Sequence, residues 1–151
     1  MTKITAKEIK KLREATGAGI MEVKKALEEA KGDEKKAKQI LKKKGVEKLK
    51  KRAGKATAEG QVCAYVHNGG RVGAMVMVKC ETDFVGRSDE FQSLCKELAM
   101  QVASMEPKNV KELLGQQYIR DSKKKVGDLV KETAVKVKEN VVVEKIVRLS
   151  L

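Results

Sequence analysis

The sequence predicts an α+β fold: a three-helix bundle, a helical linker, then a small antiparallel sheet of about three strands packed with helices. Three observations carry this. Apolar residues recur at helical spacing three times before residue 45, and each run is closed by glycine. After Gly60 the period changes to alternation about an Asn68-Gly69-Gly70 turn. From there the order is strand, strand, helices, strand, which makes a sheet with helices layered on one face. The boundaries that follow are 1–45 for the bundle, 46–57 for the linker and 58–151 for the α+β core.

Thr5 and Glu8 form a capping box at the start of the first helix, and Ile4 with Ile9 supplies a hydrophobic staple. Ile9, Leu12 and Ala15 mark its apolar face until Gly17-Ala18-Gly19 stops it. The second helix runs from about Ile20 to Gly32 with Ile20, Val23, Leu27 and Ala30 on one side. Asp33 caps a third, with Ala37, Ile40 and Leu41 apolar and Gly45 closing it. Helices this short are marginal alone, so they must pack on each other. Residues 46–57, rich in Lys and Ala, read as an exposed helical linker.

Val62, Ala64 and Val66 alternate with Cys63 and Tyr65 in the first strand, and the second spans Val72 to about Cys80. Its Met75-Val76-Met77-Val78 run predicts a strand covered on both faces, or one whose second face meets a partner. A long helix starts near Ser88, with Asp89 and Glu90 in the first turn and Phe91, Leu94, Cys95, Leu98 and Val102 in helical rhythm. Short helices follow around Val110–Leu114 and from Val126 to Val137, and Val141–Leu149 closes the chain as a strand.

The 151 residues carry 34 Lys and Arg against 21 Asp and Glu, a net charge of +13. The distribution is uneven: residues 1–55 hold +11 of it and residues 56–151 only +2. A basic N-terminal third suits an RNA backbone or an acidic protein surface alike. The basic runs Lys42-Lys43-Lys44, Lys50-Lys51-Arg52 and Lys123-Lys124-Lys125 also read simply as solvated helix or loop surface, and no aromatic interleaves with them for base stacking. No apolar run approaches the ~20 residues that span a bilayer, and Met1–Thr5 lacks the apolar stretch of a secretion signal. A cytoplasmic protein without a membrane partner is expected. Cys63, Cys80 and Cys95 lack metal-ligand spacing and read as reduced, buried thiols, with a disulfide or redox role as the alternative.

No catalytic constellation emerges. His67 stands alone before the hairpin turn, Gly17-Ala18-Gly19 follows a helix rather than a strand, and Glu81, Asp83, Asp89 and Glu90 lack the ligand order of a calcium loop. The reading is therefore not an enzyme, with no metal and no cofactor. Asp83-Phe84 is the feature that asks for an explanation. The chain has two phenylalanines and no tryptophan, and this one sits in an apparent turn between strand and helix. Phe84 either caps the core beneath that turn, with Asp83 satisfying backbone donors, or is presented outward.

The stretch Glu81-Thr82-Asp83-Phe84-Val85, with Arg87 and Phe91, resembles the signature of bacterial elongation factor Ts, the nucleotide-exchange factor for elongation factor Tu. A second block resembles that family's N-terminal, ubiquitin-associated-like GTPase-binding bundle: Ile4-Thr5-Ala6, Leu12 through Met21, Lys24-Lys25-Ala26-Leu27 and Gly32-Asp33. Ala58-Glu59-Gly60, Asn68 through Gly73 and Glu139 through Val143 also look like family positions. The resemblance implies a guanine-nucleotide exchange factor whose partner is elongation factor Tu, GDP-bound or nucleotide-free. Phe84 would be an apolar wedge entering the GTPase domain, and Asp83 would bond groups exposed by the opening. Thr82 and Val85 would shape the turn, and Arg87 would make a polar contact at its rim. Arg13, Ile20 and Met21 match positions through which the bundle grips the GTPase, with core packing the alternative for Ile20. The short form, lacking a second core subdomain, implies a homodimer.

Lys79 and Ser88 replace frequent asparagines, Gly86 a usual alanine, Ile20 a common methionine, Lys138 a glycine and Ile146 an aromatic. Of these, Gly86 is expected to loosen the turn that presents Asp83-Phe84. The rival reading from another class is a basic ribosome- or RNA-associated binding protein, which would show salt-sensitive RNA affinity and no effect on nucleotide release.

Overall fold

The computed structural model describes residues 4–151. Met1–Lys3, which open the 1–45 segment and the stretch read for a secretion signal, lie outside the described residues. The chain divides into two compact units, with the division between Ala53 and Gly54.

The first unit holds α1 (Ala6–Thr16), α2 (Ile20–Glu29) and α3 (Glu34–Arg52). The α1 capping box is complete: the Glu8 amide donates to Thr5 Oγ1, while the Thr5 amide and hydroxyl donate to Glu8 Oε2 at 2.8 and 2.7 Å. Those bonds hold the Glu8 carboxyl below its usual pKa. Gly17 closes the helix in the left-handed conformation, φ 68°. Leu12, Val23, Ala26, Leu27, Ala30, Ala37 and Leu41 form the core, flanked by Ile4, Ile9, Ala18 and Ile40. Two positions expected there are exposed, Ala15 and Ile20. Ala26, four residues before Ala30, fills the place on α2 instead.

Gly45 does not end the third helix, which continues to Arg52. A glycine inside a helix costs only ~1 kcal/mol, and Val46 through Arg52 are residues that sustain one. Residues 46–52, read as the start of a linker, are thus the last turns of α3. Several of its lysines are paired: Lys38 with Glu34, Lys44 with Glu29, and Lys48 with Glu22.

The second unit is the α+β layer. Strands β1 (Glu59–His67), β2 (Val72–Cys80) and β5 (Val142–Ser150) form an antiparallel sheet in the order β1-β2-β5. The β1–β2 register pairs Val62 with Met77 and His67 with Val72 across the 68–71 loop. There Asn68, Gly69 and Gly70 all have positive φ. Helix α5 (Asp89–Met105) packs on β1 and β2, and α7 (Val126–Val137) packs on α5. Between them lie α6 (Val110–Gly115) and a two-stranded ribbon, β3 (Gln117–Tyr118) with β4 (Asp121–Lys125).

The ribbon is absent from the sequence reading, and it places Lys123-Lys124-Lys125 in a strand. Its cause is a fully buried glutamine on α5. Gln101 Nε2 donates to the Gln117 carbonyl at 3.0 Å, and its Oε1 accepts from the Ile119 amide at 3.0 Å. The core inside the sheet comprises Val76, Val78, Phe91, Leu94, Cys95 and Leu98, joined by Leu113, Val126 and Val130.

One glycine is required by close packing. Gly60 has φ 149°, and a Cβ there would lie 2.1 Å from the Val78 carbonyl oxygen and 2.8 Å from Lys79 Cα. Both neighbours are backbone in the paired strand and cannot yield. Gly60→Ala is expected to destabilise the second unit by about 3 kcal/mol. Urea unfolding monitored by circular dichroism measures this, and an unchanged midpoint would contradict it.

Candidate functional site

The strand β2 ends at Cys80, and α5 starts after its N-cap Ser88. Between them Asp83–Gly86 forms a single helical turn, α4, where the sequence suggests an irregular turn. Thr82 caps it in extended conformation, its hydroxyl oxygen accepting from the Val85 amide at 3.4 Å. The Gly86 and Arg87 amides donate to the Thr82 and Asp83 carbonyls, both at 3.1 Å. Ser88 joins the turn to α5: its hydroxyl donates to the Val85 carbonyl at 2.7 Å and accepts from the Phe91 amide.

This arrangement settles where Phe84 points. Its side chain is 77% exposed, so it does not cap the core. Val85 is half-buried and Gly86 buried, so the turn rests on those two residues and presents Asp83 and Phe84 outward. Arg87 caps the end of α4. Its guanidinium pairs with Asp83 Oδ2 at 2.9 Å and lies 5.6 Å from the centre of the Phe84 ring. Arg87 thus bridges the two exposed side chains, paired with Asp83 and set over the Phe84 ring. Gly86 is not in a left-handed conformation, and a Cβ there would meet Cys80 Sγ at 3.6 Å, an ordinary contact. The bonds of Thr82 and Ser88 flank it on either side.

The base of the turn is held by a residue that local spacing does not reveal. Glu139, in the connection from α7 to β5, is only 9% exposed. Its Oε2 accepts from the Glu81 and Thr82 amides, both at 3.0 Å, and its Oε1 accepts from the Thr82 hydroxyl at 2.6 Å. In return Glu81 Oε1 accepts from the Asn140 amide at 2.7 Å. The sole sequence signal for this contact is the Glu139-Asn140 block within the family resemblance. Cys80 Sγ donates to the Thr82 carbonyl at 3.1 Å. Burial, reinforced by the Glu139 carboxylate, pushes that thiol up to about 11, so it is protonated and inert at neutral pH. All three cysteines are free, with Cys80 and Cys95 buried and Cys63 half-buried.

The other predicted set lies in the first unit. Arg13 is exposed in the last turn of α1, and Ile20 and Met21 open α2 at 53% and 62% exposure. Ile20 is thus surface rather than core. Arg13 and Ile20 line one shallow depression of about 600 Å³ with Ile9 and Gly17. Met21 lies beside Ile20 in sequence and is not part of that lining.

Among the described residues no group of three or more His, Cys, Asp or Glu side chains is placed to hold a metal ion. His67 stacks on Tyr65, with Nδ1 3.0 Å from the Tyr65 hydroxyl. The geometry thus sets an exposed aromatic and an exposed acid on a pinned base.

Comparison with known proteins places the chain in a family. The family described as Elongation factor TS matches residues 2–112 and 81–151. Elongation factor Ts of Thermoanaerobacter sp. (strain X514) is 40% identical over an alignment of 190 positions, covering 96% of this chain and 93% of that protein. The protein of the same name from Coprothermobacter proteolyticus is 38% identical and covers 98% of each. That from Thermotoga neapolitana is 40% identical, covering 93% of each. The chain belongs to the elongation factor Ts family, a family of translation elongation factors.

One departure from the family pattern has a visible cost. Lys138, where the resemblance implies a glycine, adopts φ 60° and ψ 30°, the left-handed region that glycine tolerates best. Lys138→Gly is expected to stabilise the protein by about 1 kcal/mol. Thermal and urea unfolding report it, and a loss of stability would show that the lysine side chain compensates its backbone.

Proposed function

We propose that this chain promotes GDP release from elongation factor Tu by inserting the Asp83–Phe84 turn into the GTPase domain. The observation that carries the reading is Phe84, exposed at the tip of a turn whose base is held by buried groups, in a member of this family. Phe84 is the apolar wedge and Asp83 the polar contact. Thr82 and Val85 shape the turn, and Arg87 lines its rim. The bundle of α1, α2 and α3 supplies a second grip through Arg13, Ile20 and Met21, and residues 58–151 carry the exchange turn. The protein works in the cytoplasm and acts by binding, with no covalent step, metal or cofactor of its own.

The energetics fit reversible opening. Nucleotide and exchange factor must weaken each other equally, and each tenfold of weakening corresponds to about 1.4 kcal/mol. Burying one phenylalanine ring supplies about 1.5–3 kcal/mol. Asp83 must first leave Arg87, but that pair is solvent-exposed and worth only ~0–1 kcal/mol. Its release hardly opposes docking.

The outer face of the sheet supports a homodimer. Helices cover one face, while Val62, Val66, Met75, Val147 and Leu149 stay exposed on the other. The registers set Met75 between Ala64 and Val147, and Gly73 beside Leu149, which makes a continuous apolar surface. Such a face is self-complementary across a two-fold axis, and a second copy is its occupant.

Phe84→Ala is expected to slow stopped-flow release of a fluorescent GDP from elongation factor Tu by at least about tenfold while circular dichroism stays unchanged. A wild-type rate would sink the wedge assignment. Salt-sensitive RNA binding by a protein that leaves GDP release unaffected would favour the rival instead. In sedimentation at micromolar concentration the wild type should run as a dimer and Met75→Lys as a folded monomer. A monomeric wild type would overturn the sheet interface.

A further inference from the structure

We infer that Glu139 is a positioning residue for exchange: its carboxylate holds the chain at residues 81–82 so that Asp83 and Phe84 are presented in one orientation. The inference rests on the exchange reading above. Glu139 does not belong to the exposed surface, since it is 9% exposed and its two oxygens are turned to the backbone and hydroxyl behind the turn.

The helix α4 cannot hold itself. It has four residues, and a single turn fixes more backbone than its hydrogen bonds repay. Its conformation must come from its ends. At the C-terminal end Ser88 ties Val85 to α5. At the N-terminal end the Glu81 and Thr82 amides have left the ladder of β2, and both donate to Glu139 Oε2. The Thr82 hydroxyl completes the chain of contacts. It donates to Glu139 Oε1 at 2.6 Å while its oxygen caps the Val85 amide, so orienting that hydroxyl orients the cap. Bonds to an ionised carboxylate are the stronger class, and here they are sheltered from water.

The coupling is reciprocal across the fold. Glu81 accepts from the Asn140 amide, and Asn140 Nδ2 donates to the Lys55 carbonyl at 3.2 Å. Two acids exchange backbone amides, which locks the entry of the turn to the entry of β5. A wedge already ordered in the free protein does not have to be ordered at docking. Releasing it would return that ordering requirement to the exchange step without removing any group that contacts the partner.

The test uses the full chain with elongation factor Tu bound to fluorescent GDP, and compares wild type, Phe84→Ala, Glu139→Ala and Glu139→Gln. Glutamine keeps an oxygen for the two amides and an N–H for the Thr82 oxygen, whereas alanine keeps neither. Glu139→Ala should lower the exchange rate about tenfold and Glu139→Gln by no more than about threefold. Amide hydrogen exchange supplies the readout that a general structural role would not confine. In Glu139→Ala, protection should fall at residues 81–87 and persist in β2 and α5. Glu139→Ala with wild-type release, beside a slowed Phe84→Ala, overturns the positioning role alone. Loss of protection throughout β2 and α5 overturns it as well, because Glu139 would then serve the whole fold. Wild-type release by Phe84→Ala instead removes the exchange reading on which the role depends.

Discussion

The packing of α5 against β1 and β2 is the constraint from which the rest of the second unit follows. Side chains alternate along a strand, so directing Ala74, Val76, Val78 and Cys80 toward α5 commits Met75 and its neighbours to the opposite face. The same parity brings β2 to its end with Cys80 buried. Seven residues, 81–87, then separate Cys80 from the cap of α5. They have no strand partner, and their first amides must find acceptors. Glu139 meets two of them, and one helical turn takes up the remaining length.

The resulting element is unequal in how firmly its parts are held. Its base uses a sheltered carboxylate, for which each hydrogen bond contributes about 1.5–3 kcal/mol. Its tip uses the exposed Asp83–Arg87 pair and the approach of Arg87 to Phe84, each worth about 1 kcal/mol or less. A rigid base with an easily rearranged tip fits the proposed wedge, which would enter a partner and then be expelled by nucleotide. The backbone stays ordered while the charged rim changes partners.

Much of this architecture is legible in the residues because the signals are local. Thr5 with Glu8, Asp33, Ser88 and Asn109 each cap a helix with a side chain three residues from the amide it accepts. The Asn68-Gly69-Gly70 turn and the alternation beside it place the hairpin. What escapes the reading depends on distant partners. The β3–β4 ribbon hangs on Gln101, and no pattern within Asp121-Ser122-Lys123 announces a strand. Helix α3 overruns Gly45 because a glycine stops a helix only where the following chain turns away, and Val46 onward does not. Phe84 and Ile20 had two readings each, and only burial separates them. Glu139 lies 57 residues from Thr82, so its role is a product of topology rather than spacing.

The two phenylalanines make the contrast within a single residue type. Phe91 is fully buried where α5 meets the sheet, and Phe84, seven positions earlier, is 77% exposed. Burying such a ring contributes about 1.5–3 kcal/mol, and a chain with 3% aromatic residues has few others to draw on. Leaving Phe84 outside therefore forgoes a sizeable part of a typical margin of 5–15 kcal/mol. The fold does not leave it out for want of space alone, since Thr82, Ser88 and Glu139 together hold the turn in the orientation that exposes it. Groups invested in keeping an apolar ring in water make sense when that apolar area is reserved for another surface. On the proposed function, the ring's contribution moves from folding to association, where it would be gained and lost with the nucleotide.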